Sequence, residues 1–182
     1  MEIDYLKSSG IKGTDPNILK RLNTLSKLVD QTIQTTRRIS QELRPSALDD
    51  LGLKSAIEWQ VSQYKKRSES IYKLNMIGND DNLSTEQSTA IFRIAQESLT
   101  NIARHAEATI IGIRLHIKTS QIKLEIEDNG KGIVDNNSDK HNTSFGIFGM
   151  KERAYILGGK LKITSKPNKG TTIILVLPLQ AN

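Results

Sequence analysis

The sequence predicts an α+β chain: a long amino-terminal helix, then a domain in which helices alternate with strands. Three observations predict it. Ile18, Leu22, Leu25, Val29, Thr32, Thr36, Ile39 and Leu43 are spaced alternately four and three apart, the seam of a coiled coil or four-helix bundle. Ile122, Leu124, Ile126 and Asp128 keep the two-residue period of a strand. Between them, Ile94, Leu99, Ile102 and Ala103 supply the apolar flank of a helix whose polar residues Glu97, Asn101 and His105 stand four apart on one face.

Composition narrows the class. At 182 residues there is room for one compact domain and a small appendage. The formal charge of +6 favours anionic partners such as nucleotides, acidic protein surfaces or nucleic acid, with a merely solvated basic surface as the plain alternative. Without a basic patch interleaved with aromatics, direct nucleic-acid binding is not expected. Cysteine is absent, which excludes a disulfide scaffold or Cys-ligated zinc and fits a reducing, cytoplasmic setting. No apolar run approaches the roughly 20 residues of a membrane helix, and Met1 to Lys7 is no signal peptide, so this polypeptide is expected to make no membrane contact.

Taken in order, Met1 to Ser9 reads as the end of a helix stopped by Gly10 and Gly13. Asp15-Pro16 then starts the seam helix, because Asp15 can cap its free amides and Pro16 suits the first helical position. That helix is expected to run to about Arg44 and to bury its stripe in a self-associated bundle, since the preceding segment is too short to cover it. The alternative is a helix packed along its own domain. Pro45 to Leu53 reads as a connector, and Lys54 to about Arg67 as a helix with Ala56, Ile57, Val61 and Tyr64 inward and Trp59 in the core or at its rim. The expected division is therefore residues 1–53, helical, and 54–182, the mixed domain.

Ile71 to Ile77 reads as a strand, and Ser84-Thr85-Glu86-Gln87 as a capping box opening the helix that carries Glu97 and Asn101. Strands follow over Thr109 to Lys118 and Gln121 to Asp128. Asp128 falls in phase with core residues, where an unpartnered acid would cost several kcal/mol, so it should be hydrogen-bonded or face a pocket. Gly130 and Gly132 let the backbone turn and approach a ligand, although Asp128-Asn129-Gly130 taken alone is also a hairpin turn. Val134 to Ser144 is almost wholly polar and is expected to be mobile. Gly146-Ile147-Phe148-Gly149-Met150 is expected to open a helix, either admitting phosphate to free amides or forming a tight turn. A hairpin, Lys160 to Ser165 and Thr171 to Leu179, closes the fold.

These residues together give a resemblance. Gln96 to Ala106 resembles the N box, Asp128 to Gly132 the G1 box and Gly146 to Met150 the G2 box of sensor histidine kinases. Their ATP-binding fold, a two-layer α/β sandwich, is shared with gyrase, Hsp90 and the mismatch-repair ATPases. Ile39 to Leu53 resembles the second dimerisation helix and linker of kinases that signal to LuxR-like regulators, and Gly149 to Arg153 followed by Leu157-Gly158-Gly159 points the same way.

The resemblance implies ATP and Mg²⁺ as cofactors. It implies that Asn101 helps ligate the metal, that Glu97 is the polar catalytic group near the γ-phosphate, and that Asp128 accepts a hydrogen bond from the adenine amino group. Gly130 and Gly132 would shape the adenine pocket, Gly146 and Gly149 admit the phosphates, Thr171 assist on the adenine side, and Arg104 and His105 border the phosphate end. The residues 134–144 would be the ATP lid. A response regulator of the LuxR-like class and a second copy of the chain are the implied partners. The acceptor histidine of such kinases lies on the first dimerisation helix, whereas His105, His116 and His141 lie in the N box, a strand and the lid. This polypeptide alone is therefore expected not to label itself with phosphate. Two rivals are a serine kinase of the anti-sigma type, against which the helical hairpin argues, and a non-catalytic helical interaction module.

Overall fold

The computed structural model describes residues 24–26, 28–29, 46–133 and 140–179. Most of the expected seam helix and residues 134–139 of the polar stretch lie outside the described residues. The chain forms two compact units, Met1–Arg44 and Pro45–Asn182. In the first, residues 24–26 and 28–29 are helical, and Leu25, Leu28 and Val29 are exposed. The second begins ahead of the expected boundary after Leu53.

The second unit runs α1 (Ser46–Lys65), β1 (Ile71–Ile77), α2 (Thr85–Asn101), a π-helical turn (Ile102–Ala106), β2 (Ile110–Ile117), β3 (Gln121–Asp128), α3 (Lys140–Ile156), β4 (Lys160–Ser165) and β5 (Thr171–Pro178). The strands form one sheet in the order β1-β2-β3-β5-β4, with β1 and β2 parallel and the other pairs antiparallel. A parallel pair needs a crossover, and α2 supplies it. The three helices pack on one face of the sheet, giving the two-layer arrangement expected. Ile113, Leu115, Ile122, Leu124, Ile126, Leu175 and Leu177 point into that layer and are almost fully buried, as the strand alternation requires. The other face is polar: Arg114 Nη2 lies 2.6 Å from Glu125 Oε1 and 2.7 Å from Glu127 Oε2. Among the described residues no helix is long and apolar enough to cross a membrane.

Two element boundaries differ from the sequence expectation. The connector up to Leu53 is largely helical, because Leu48 and Leu53 are both buried in the sheet domain's core and hold the segment against it. Gly52, with φ 74° and ψ 173°, breaks the helix between them, a left-handed φ that favours glycine. Beyond the break the helix restarts, and Asp80 from the β1–α2 loop supplies its cap: Lys54 N–H donates to Asp80 Oδ2 at 2.9 Å and Lys54 Nζ donates to the Gly78 carbonyl at 2.9 Å. Asp80→Ala is expected to cost about 0.5–2 kcal/mol, the loss of a helix cap, with Asp80→Asn near neutral. Urea denaturation of the chain measures both.

The second difference concerns α3, which begins at Lys140 and not at Gly146. Its free amides therefore lie at residues 140–143, and Gly146 and Gly149 stand inside the helix. Within the helix Gly146 faces α2, where a Cβ would meet the end of the Glu97 side chain. By contrast α2 starts where the sequence places it, with Gln87 N–H donating to Ser84 Oγ at 3.2 Å and Ser84 N–H to Gln87 Oε1 at 3.1 Å.

Candidate functional site

A cleft opens between the carboxyl end of α2, the end of β3 and the inner face of α3. Its walls are mainly apolar: Ile102, Ile126, Ile147, Met150, Ile163 and Ile173. Polar groups enter at separate points. Asp128 and Thr171 lie on the sheet side, and Ser98, Asn101 and His105 on the α2 side. An apolar slot with a few convergent polar groups is how small-molecule sites are built.

Asp128 arrives there by strand phase. The alternation that buries Ile122, Leu124 and Ile126 continues to the strand's last residue, leaving Asp128 only 9% exposed. Its carboxylate accepts the Gly130 N–H at 2.8 Å and a backbone N–H from Thr171. Burial pushes its pKa above the usual aspartate range, and the two amides oppose that shift. Ser165 Oγ sits 2.9 Å from Thr171 Oγ1 and accepts the Ile133 N–H at 2.8 Å, which ties the chain after Gly132 to the hairpin.

The glycines beside Asp128 are sterically required. A Cβ on Gly130 would overlap the Ala106 carbonyl, and one on Gly132, at φ 73°, would overlap that of Lys166. Asn129 fixes the same turn from outside, its Oδ1 accepting the N–H groups of Thr109 and Ile110 at 2.9 Å each. The hairpin-turn alternative for this stretch does not describe it, since the chain leaves β3 to contact the end of α2.

On the opposite wall, α2 ends in the π-helical turn Ile102–Ala106, followed by Glu107 in the left-handed region at φ 53°. Such turns widen a helix and often mark functional sites. This one brings His105 to the cleft while leaving Arg104 exposed and outside the lining. Asn101 is half-buried at the cleft. Glu97, one turn earlier, lies outside the lining, against Gly146 of α3.

The structure thus gathers Asn101, His105, Asp128, Gly132 and Thr171 around one cleft, with Gly130 behind Asp128. It sets Glu97 against Gly146 at the adjoining α2–α3 contact, with Gly149 further along α3 under Arg153, and it leaves Arg104 apart. Sequence reasoning did not foresee the apolar walls as a cleft lining, for which the helical spacing of Ile147 and Met150 was the available signal.

The donor set suits a nucleotide. Asp128 offers a carboxylate acceptor on the sheet side of an apolar cleft, and Asn101 offers an amide on its α2 side. Fold and cleft together define a nucleotide-binding domain of the two-layer ATPase kind. The match to known families is specific: residues 86–181 fit the model of the histidine kinase-, DNA gyrase B- and HSP90-like ATPases, and the chain belongs to that family. Membership makes this an ATP-binding domain.

Among curated proteins, the chain is 36% identical over 168 residues to the signal transduction histidine-protein kinase/phosphatase DegS of Brevibacillus brevis, covering 92% of this chain and 43% of that protein. It is 33% identical over 152 residues to the oxygen sensor histidine kinase NreB of Staphylococcus carnosus, covering 84% of this chain and 44% of that protein. The chain thus spans less than half the length of these relatives. In fold it is similar to the histidine kinase AdeS of Acinetobacter baumannii, with a TM-score of 0.57 at 15% identity over 94% of this chain and 89% of that one.

Proposed function

We propose that this chain is the ATP-binding catalytic part of a sensor histidine kinase. It positions ATP so that the γ-phosphate passes to a histidine, which relays it to an aspartate on a response regulator of the LuxR-like class. The observation that carries this reading is the placement of Asp128 and Asn101 on two walls of one apolar cleft, a carboxylate at one and an amide at the other.

Phosphoryl transfer asks a protein mainly for positioning and charge stabilisation. Asp128 accepts from the exocyclic amino group of adenine; guanine presents a carbonyl there and is rejected, because two acceptors would face each other in a buried site. Asn101 would hold Mg²⁺ through its amide oxygen, a ligand type that suits a hard cation. When bound, that ion neutralises charge on the phosphates. Thr171 and Gly132 orient the base, and His105 borders the phosphates. Leu25 and Val29, exposed on the first unit, support a homodimer formed through the seam helix.

Calorimetric titration of the chain with Mg-ATP and Mg-GTP tests the reading. ATP is expected to bind and GTP to bind at least roughly tenfold more weakly, the discrimination of one mismatched polar contact. Asn101→Ala is expected to weaken Mg-ATP roughly tenfold and to remove the dependence of affinity on Mg²⁺. Equal affinity for the two nucleotides, or none for either, would overturn the proposal.

A further inference from the structure

Ser165 is the last residue of β4 and Thr171 the first of β5, and the two stand directly across the hairpin from each other. Thr171 lines the cleft on the sheet side with Asp128, whereas Ser165 lies outside the lining. The Ser165 hydroxyl oxygen has three partners: Thr171 Oγ1 at 2.9 Å, the Ile133 nitrogen at 2.8 Å and the Gly170 carbonyl oxygen at 3.1 Å.

A serine hydroxyl carries one proton and two lone pairs, and this arrangement uses all three. The Ile133 N–H can only donate, so it takes one lone pair. The Gly170 carbonyl can only accept, so it takes the proton. The second lone pair is left for Thr171, whose hydroxyl must therefore donate to Ser165. The reverse assignment would set the Ser165 and Gly170 oxygens 3.1 Å apart with no proton between them and leave a Ser165 lone pair unused. Thr171 Oγ1 has no other hydrogen bond among the described residues, so its one proton is committed to the hairpin and its lone pairs remain for a ligand. The Asp128 carboxylate is an acceptor as well. Together the two polar side chains on the sheet side of the cleft present acceptors alone.

We propose that Ser165 is a positioning residue that locks the Thr171 hydroxyl as an acceptor and thereby strengthens the selection of a 6-aminopurine over a 6-oxopurine. The inference rests on the nucleotide reading above and extends it from Asp128 to a residue that does not touch the ligand. A threonine hydroxyl free to turn would donate to a 6-carbonyl and offset its repulsion by Asp128. With its proton held by Ser165, Thr171 has none to give, and the carbonyl finds no donor among these side chains. An amino group, which brings two N–H donors, suits both acceptors.

The test is titration of the whole chain with Mg-ATP and with Mg-ITP, the 6-oxo counterpart of ATP. Ser165→Ala frees the Thr171 proton and is expected to tighten ITP about three- to tenfold, the range of one hydrogen bond, without tightening ATP. Adding Thr171→Val to Ser165→Ala should abolish that gain, because no hydroxyl is left to turn. Thr171→Val alone reads the same point with Ser165 intact: ATP is expected to weaken and ITP is not, since a locked acceptor has nothing to offer a carbonyl. A serine that merely ties the hairpin to the chain after Gly132 would behave otherwise. Ser165→Ala would then change both nucleotides by the same factor or neither, the ITP gain would persist in the double variant, or Thr171→Val would weaken ITP as much as ATP. Any of these overturns the inference, while a wild-type preference for ATP over ITP still supports the nucleotide reading through Asp128. A wild-type chain that binds neither nucleotide overturns both.

Discussion

Replacing Asp128 with Asn is expected to weaken ATP binding roughly 10- to 100-fold, the loss expected for a hydrogen bond to a charged acceptor, without lowering the stability of the unliganded protein. The two effects have different origins. Asn turns one acceptor into a donor, so a donor faces the adenine amino group. In the unliganded fold the remaining amide oxygen can still accept the Gly130 N–H that Asp128 holds at 2.8 Å, and the weakened bond to the Thr171 N–H is offset by relief of the buried charge.

The sign of the stability effect follows from linkage. Burial raises the folded-state pKa of Asp128 above its unfolded value, so the folded state binds the proton more tightly. The associated stability is fully present below the unfolded pKa and is lost as pH rises through the folded one. At neutral pH the ionised carboxylate carries a desolvation cost that the two amides only partly offset, and Asn removes that cost. Thermal melts at pH 7 should show the variant unchanged or more stable, and melts across the acid range should show that the decline on raising pH above the ordinary aspartate range disappears. A drop of several degrees in the variant at pH 7 would assign Asp128 to the fold and not to the ligand.

Why Asp128 was visible in the sequence and the start of α3 was not is a matter of range. Strand phase is local, so three apolar residues two apart already place the fourth position inward, and a carboxylate there demands an explanation. The capping box at Ser84 is equally local, and α2 starts where it says. The start of α3 is not decided locally. Glycines at 146 and 149 look like a loop before a helix, but both stand inside it, and Gly146 faces the side chain of Glu97 on α2, a residue distant in sequence. Leu48 is a similar case: turn-forming neighbours suggested a connector, while burial at 4% exposure in the domain core decided for helix. The family match supplies what periodicity cannot, namely that the cleft between these elements takes ATP.

Gly170→Ala is expected to destabilise the second unit more than any surface change, by roughly 2–5 kcal/mol. About 1–2 comes from the left-handed backbone and about 1–3 from overpacking. Gly170 has φ 78° in the turn between β4 and β5, and a Cβ there would overlap the backbone carbonyl of Asp128 and come within 3.0 Å of Asn129 Cα. Backbone offers no rotamer by which to yield. In sequence Lys166 to Gly170 is an ordinary hairpin turn, yet in the fold its last residue is the floor under the acid of the site, and the next residue, Thr171, donates the second amide to that acid. The damage should therefore reach the ligand. Denaturant unfolding measures the loss of stability, and nucleotide titration well below the variant's melting temperature should still show weakened ATP binding, because the Asp128 carboxylate can no longer hold its place between Gly130 and Thr171. Unchanged affinity in a destabilised variant would show that the turn supports the fold but not the geometry of the acid.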